Sequence, residues 1–254
     1  MSEVSYKDFD ILSEQDKAEA LALINRYDQL DKQDSCQADF MSFIKHMWPE
    51  FIEGRHHKII ADKFNRIADG KLKRLIVCLP PRHSKSEFAS TFFPAWMMGR
   101  RGDLKIIQTT HTAELAVRFG RKVRNLIGSE DYQHVFPELQ LQADNKSAGR
   151  WTSNQEGEFF AAGVGGAITG RGADLLVIDD PHSEQDAMSP KALESAYEWY
   201  TSGPRQRLQP GGIIVIVMTR WSTKDLVGKV LNRQGEDHAD QWEVIEFPAI
   251  MPES

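Results

Sequence analysis

The chain has 254 residues, with 31 Lys or Arg against 37 Asp or Glu, a formal net charge of -6 and an isoelectric point near 5.8. That acidity excludes a protein that grips nucleic acid by bulk charge, though a local basic stripe or neighbouring subunits can still supply such a contact. With 41% hydrophobic and 27% charged residues it has the composition of a globular domain, and no apolar run nears the roughly 20 residues of a membrane span.

The opening segment, MSEVSYKDFD, is polar and acidic and lacks the basic-then-apolar build of a secretory signal, so action in a cytoplasm is expected. Residues 14–30 predict a helix with Leu23, Ile24, Tyr27 and Leu30 on one side. It is expected to pack peripherally on the core, with docking to another component as the alternative. Cys36 follows in a polar stretch; with Cys78 it forms no metal spacing and no expected disulfide, and Cys78 reads as a small buried hydrophobe. From Phe40 to Phe64 the chain is rich in aromatics and histidine. The adjacent pair His56 and His57 is not a metal site, because neighbouring residues do not project the same way. Gly70 is expected to end this helical stretch.

Beyond it, apolar β-rich runs alternate with helical ones. Strands are expected at 74–80, 104–110, 158–163, 174–180, 213–219 and 241–249, with helices from about Ser84 and across 113–127. Continuous apolar runs indicate strands buried on both faces. Their alternation with helices predicts an α/β fold, a mostly parallel sheet flanked by helices.

Two segments carry chemistry. In LIVCLPPRHSKSEFAS a buried strand runs into a loop bearing Lys85 and Ser86, which opens a helix. A helix N-terminus offers unpaired N–H groups and positive dipole to an anion. Lys85 would reach β- and γ-phosphates, and the Ser86 hydroxyl would take a Mg²⁺ position. The usual G-x-x-x-x-G-K-[ST] pattern is departed from, with Leu79 and Ser84 at the glycine positions; the alternative is a Pro-Pro turn with a solvent lysine. In LLVIDD two acids end an apolar strand, where ligands bind in open α/β sheets. Asp179 is assigned to the magnesium shell through water. Asp180 stands where a water-orienting Glu is common and is one methylene shorter, leaving Glu184 as a candidate for that task and a helix cap after Pro181 as the alternative role for Asp180. The two segments together indicate a P-loop NTPase. Between them, TAELAVRFGRKVRNLI places Arg118, Arg121, Lys122 and Asn125 together on a helix, a stripe for DNA phosphates or a solvated face.

LPPRHSKSEF, GVGGAITGRGADLLVIDDPH and IIVIVMTRWSTKDLVGKVL, in that order, with DFMSFIKHMWP and GRHHKIIADKF upstream, resemble the ATPase domain of tailed-phage terminase large subunits from about Phe40 to Pro248. The resemblance implies a RecA-like, additional-strand P-loop ATPase over 39–248, preceded by a helical, acidic extension (1–38) and followed by the start of a linker (249–254) to a nuclease domain that this chain lacks, so DNA cleavage is not expected. It implies ATP and Mg²⁺ as cofactors and double-stranded DNA, a portal protein and a terminase small subunit as partners. A homo-oligomeric ring at the procapsid portal vertex is implied, monomeric as an isolated domain, in the host cytoplasm and absent from the mature virion.

The same resemblance assigns residues. In that family Pro-Pro-Arg replaces the first glycines, so Pro81, Arg82, His83, Ser84, Lys85, Ser86 and Glu87 surround the nucleotide, with Arg82 sensing phosphate. His57 or Lys58 lies near adenine. Thr219 senses the γ-phosphate, and Arg220 and Trp221 transmit its loss, Trp221 being expected to pack rather than react. Arg171, on a loop freed by Gly170 and Gly172, is proposed as an arginine finger on a neighbour's ATP, with a solvent arginine in a turn as the alternative. Two other functions remain open: a helicase-like translocase, which would need a second RecA-like domain, and a nucleotide-binding structural subunit with little hydrolysis, suggested by Asp180 and Ser84.

Overall fold

The alternation of apolar runs and helical segments closes into an eight-stranded sheet in a computed structural model describing residues 13–168 and 170–248, with the side chains of 143–146 left undescribed. Helices α1 (Glu14–Ala38), α2 (Phe40–Met47) and α3 (Arg55–Ala68) lead into β1 (Arg74–Cys78). A loop and a π-helical turn (Glu87–Phe92) then open into α4 (Phe93–Arg100). After β2 (Lys105–Thr110) come α5 (Ala113–Ile127), α6 (Glu130–Val135), β3 (Leu141–Lys146), β4 (Arg150–Ser153) and β5 (Glu158–Gly163). A loop joins β5 to β6 (Ala173–Asp179); α7 (Glu184–Ala187), α8 (Pro190–Ser202) and a 3-10 turn precede β7 (Leu208–Met218), and α9 (Leu226–Asn232) precedes β8 (Glu243–Glu246).

The strand order is β3-β4-β5-β2-β6-β7-β1-β8, parallel from β5 to β8 and antiparallel at the β3–β4–β5 end. This is the α/β architecture that the alternation predicts. β7 lies between β1 and β6, so one strand separates the two that carry the candidate site residues. The polar, glycine-bearing stretch 141–153 showed no strand pattern in sequence, yet pairs as β3 and β4.

Period-two alternation sorts the strand side chains between two cores. Leu75, Val77, Leu175, Val177, Val215 and Val217 face the layer built by α2 to α6, while Ile76, Cys78, Leu176, Ile178, Ile214 and Ile216 face α8 and α9. The first core is aromatic: Phe40 meets Phe64, Phe88, Phe93 and Trp96 edge-on, and Phe64 stacks on Phe93 with centroids 4.0 Å apart.

Three expectations are corrected. The N-terminal helix continues to Ala38, and it docks by its C-terminal end: Trp96 Nε1 donates to Cys36 O, and Gln33 and Gln37 donate to Val135 O. Leu23, Ile24, Tyr27 and Leu30, the face expected on the core, are 50 to 70% exposed because the helix runs past the body of the domain. Trp221 is also exposed rather than packed. The first twelve residues, Thr169 and the expected linker at 249–254 lie outside the described residues. Among the described residues no helix is long and apolar enough to cross a membrane.

Candidate nucleotide site

Parallel register brings the site together. Cys78 pairs with Met218, Asp179 pairs with Val217, and Thr110 pairs with Asp179. The chain therefore leaves β1, β2, β6 and β7 along one edge, with neighbouring strands about 5 Å apart. The loop after β1 is 79–84, and the helix begins at Lys85.

That loop adopts left-handed backbone at Arg82 (φ 65°) and Ser84 (φ 59°). Ser84 occupies the position where the common pattern has glycine, and it takes the positive φ that makes glycine favourable there. Each such non-glycine residue costs roughly 1–2 kcal/mol. His83 Nδ1 lies 2.9 Å from Pro81 O, and Arg82 and Pro81 are exposed.

The helix start delivers Lys85 and Ser86 to the acids. Lys85 Nζ is 2.7 Å from Asp180 Oδ2, and Ser86 Oγ donates to Asp179 Oδ1 at 3.0 Å. Asp179 is 1% exposed. Burial, then the neighbouring Asp180 charge, pushes its pKa up to about 7, against hydrogen bonds from Ser90 and Ser86 and the Lys85 charge. A hydroxyl and a carboxylate meeting at 3.0 Å form an oxygen donor set of the kind Mg²⁺ takes with phosphate and water. The residues fit that group.

Asp180 has left-handed backbone (φ 42°) that turns its carboxylate across the strand ends. Its Oδ1 accepts from Thr219 N at 2.9 Å, and Thr219 Oγ1 donates to Leu79 O at 3.2 Å. Thr219 thus ties the end of β7 both to the acid and to the start of the loop. Asp180 caps no helix: Ser183 caps α7. Glu184 is exposed at the start of α7. Arg220 is turned to Asp225, Nε to Oδ2 at 2.9 Å, which also accepts from Trp221 N and Ser222 N.

His57 is buried beside this site, with its ring stacked on Phe88 (centroids 4.9 Å apart) and its Nδ1 accepting from Gly54 N. Phe88 lies just past Ser86, which places the imidazole behind the loop. Lys58 turns away to Glu53. Glu87 pairs with Lys122 of α5. The basic stripe is therefore divided: Lys122 is engaged, Asn125 accepts from Arg124 Nη2, and Arg118 and Arg121 line an open groove with His111 and Thr112. His111 N donates to Asp180 O at 3.2 Å, so this groove adjoins the acids.

Arg171 is not part of this cluster. It precedes β6, pairs with Glu158 at the start of β5 and stacks over Phe160 at 4.3 Å. Its edge of the sheet is opposite the loop 79–84, roughly 20 Å away along β6. Within one chain it cannot reach the site.

Three buried polar residues escaped sequence reading. Ser90 Oγ donates to Asp179 Oδ2 at 2.7 Å, Gln108 Nε2 donates to Ser90 Oγ at 2.9 Å, and His182 Nε2 accepts from Leu226 N at 2.9 Å. A glutamine between the apolar pair Ile106–Ile107 and the β-branched pair Thr109–Thr110 was the available signal for one of them.

Among solved structures, this chain is similar to the large terminase of the HK97 bacteriophage, with a TM-score of 0.54 and 11% identity over 85% of this chain and 45% of that one. The likeness shows a shared, terminase-like fold, and the chain spans less than half of that protein. No protein-family profile matches the sequence, and no curated protein matches it.

Proposed function

We propose that this chain is the ATPase motor domain of a viral terminase large subunit, hydrolysing ATP with Mg²⁺ to drive double-stranded DNA into a procapsid. The observation that carries the reading is the convergence of Lys85 and Ser86 on Asp180 and Asp179 across β7, along one edge of the sheet. The shared fold with a phage large terminase supports the packaging context.

On this reading the loop amides and Lys85 bind the triphosphate, and Lys85 exchanges its pair with Asp180 for phosphate oxygens. Ser86 and Asp179 would hold Mg²⁺, which supplies neutralisation of the developing phosphate charge. Asp180, relieved of the lysine and still held by Thr219 N–H, accepts a hydrogen bond from the attacking water and orients it. Because Thr219 spans from Asp180 to Leu79, a change at the phosphate moves the 219–225 corner, where Arg220 is anchored. Arg118 and Arg121, beside the acids, are the basic pair placed to meet DNA phosphates. Portal and small-subunit partners, ring assembly and location in the host cytoplasm belong to the same proposal.

The test is phosphate release from ATP, with and without Mg²⁺ and double-stranded DNA, by the wild type and Lys85→Ala. Magnesium-dependent release that the variant lacks supports the reading. A wild type that binds nucleotide without turnover at any concentration, with or without DNA, sinks it in favour of a structural subunit.

A further inference from the structure

Gln108 is out of place in a strand sheltered on both faces. It is 0% exposed, and burying a primary amide is costly unless its polar groups are met. Its nitrogen donates to Ser90 Oγ at 2.9 Å, while Oε1 has no hydrogen-bond partner among the described residues. Ser90, also 0% exposed, donates to Asp179 Oδ2 at 2.7 Å.

The direction of this chain is forced. An amide nitrogen only donates, so the Ser90 oxygen accepts, and its single proton goes to the carboxylate. Asp179 is thereby held from two sides, its inner oxygen by Ser90 and its outer oxygen by Ser86 at the helix start. Ser90 lies within the π-helical turn Glu87–Phe92, and such turns are rare and concentrate at functional sites.

We infer that Ser90 and Gln108 are positioning residues for Asp179: they pin its inner oxygen so that the outer one stays aimed at the Ser86 hydroxyl, where a divalent cation would be held. This deepens the nucleotide-and-magnesium reading and rests on it. A carboxylate torsion is intrinsically broad, so an unpinned Asp179 would spread its outer oxygen over many directions. Loss of an outer partner of a metal-binding group costs about 10- to 100-fold in metal affinity.

The test titrates Mg²⁺ into the whole chain with a fluorescent, non-hydrolysable ATP analogue and follows anisotropy, in parallel with nucleotide binding in EDTA. Ser90→Ala is expected to raise the half-saturating Mg²⁺ concentration by about tenfold or more, with nucleotide affinity in EDTA unchanged. Gln108→Leu moves it the same way by less. Thr109→Val, which removes a buried hydroxyl next to Gln108 that donates to Val177 O of β6, leaves the midpoint alone. A wild-type midpoint in Ser90→Ala, or an equal shift in Thr109→Val, overturns the positioning role while leaving the nucleotide reading intact. A wild type whose nucleotide binding ignores Mg²⁺ overturns both.

Discussion

Lys85 Nζ and Asp180 Oδ2 lie 2.7 Å apart, joining the loop after β1 to the end of β6 across the strand between them. The pair sets two groups with opposite tasks against each other: a cation suited to phosphate, and a carboxylate suited to water. On the proposed reading, a phosphate between them would take over the lysine and release the carboxylate in one step.

Asp180→Asn tests that relationship. The amide oxygen still accepts from Thr219 N–H, but the charge opposing Lys85 is gone. Phosphate release should fall by about 10²- to 10⁴-fold, while the dissociation constant for ATP stays level or drops, since Lys85 no longer has to leave an ion pair. Stopped turnover with equally weakened binding would remove Asp180 from the water-orienting role.

Arg171 makes a prediction about assembly. If it serves a neighbouring chain's ATP, Arg171→Ala should cut turnover by roughly 10³-fold or more and leave nucleotide affinity intact. Mixing it with Lys85→Ala chains should then restore part of the activity, because mixed neighbours combine an intact loop with an intact arginine. If mixing restores nothing and Glu158→Gln reproduces the defect with a lower melting temperature, the arginine is a structural partner of Glu158 and Phe160.

Asp225 organises the corner after β7. It is 0% exposed, and its oxygens accept from Arg220 Nε, Trp221 N, Ser222 N and Gly228 N. Asp225→Ala should destabilise the fold by about 3–5 kcal/mol, the usual cost of removing one partner of a buried ion pair, measured as a shift in urea midpoint. A shift under about 1 kcal/mol would mean water replaces these bonds at little cost.

His57 gives a signed dependence on pH. Burial, then the neighbouring His56, drives its pKa down from 6.5 to about 4. The unfolded chain therefore binds a proton there in a window where the folded chain does not, so the stability that His57 contributes declines as pH falls from about 6.5 toward 4, against the opposite contribution of Asp179, whose pKa is raised to about 7. His57→Asn, which keeps an acceptor for Gly54 N–H, should flatten that slope in urea titrations. An unchanged slope would assign it to the other histidines whose pKa is lowered, His56, His182 and His46.

Local sequence already indicated the strands that carry the site, because β1, β2, β6 and β7 each hold a mainly apolar or β-branched run, broken in β2 by Gln108, and such runs suit strands covered on both faces of a parallel sheet. It also determined the loop chemistry: Lys85 and Ser86 open a helix after a buried strand, and Asp179 and Asp180 end another. What sequence did not determine was who meets whom across strands. The insertion of β7 between β1 and β6, the bridge from Thr219 to Asp180, and the chain from Gln108 through Ser90 to Asp179 join residues 18 to 140 positions apart. The hairpin of β3 and β4 was equally hidden, since its polar residues pair by backbone hydrogen bonds that leave no apolar pattern. The pattern along a strand reports which faces are buried, whereas the neighbours of each strand end are decided only when the whole sheet closes and every buried polar group must find a partner.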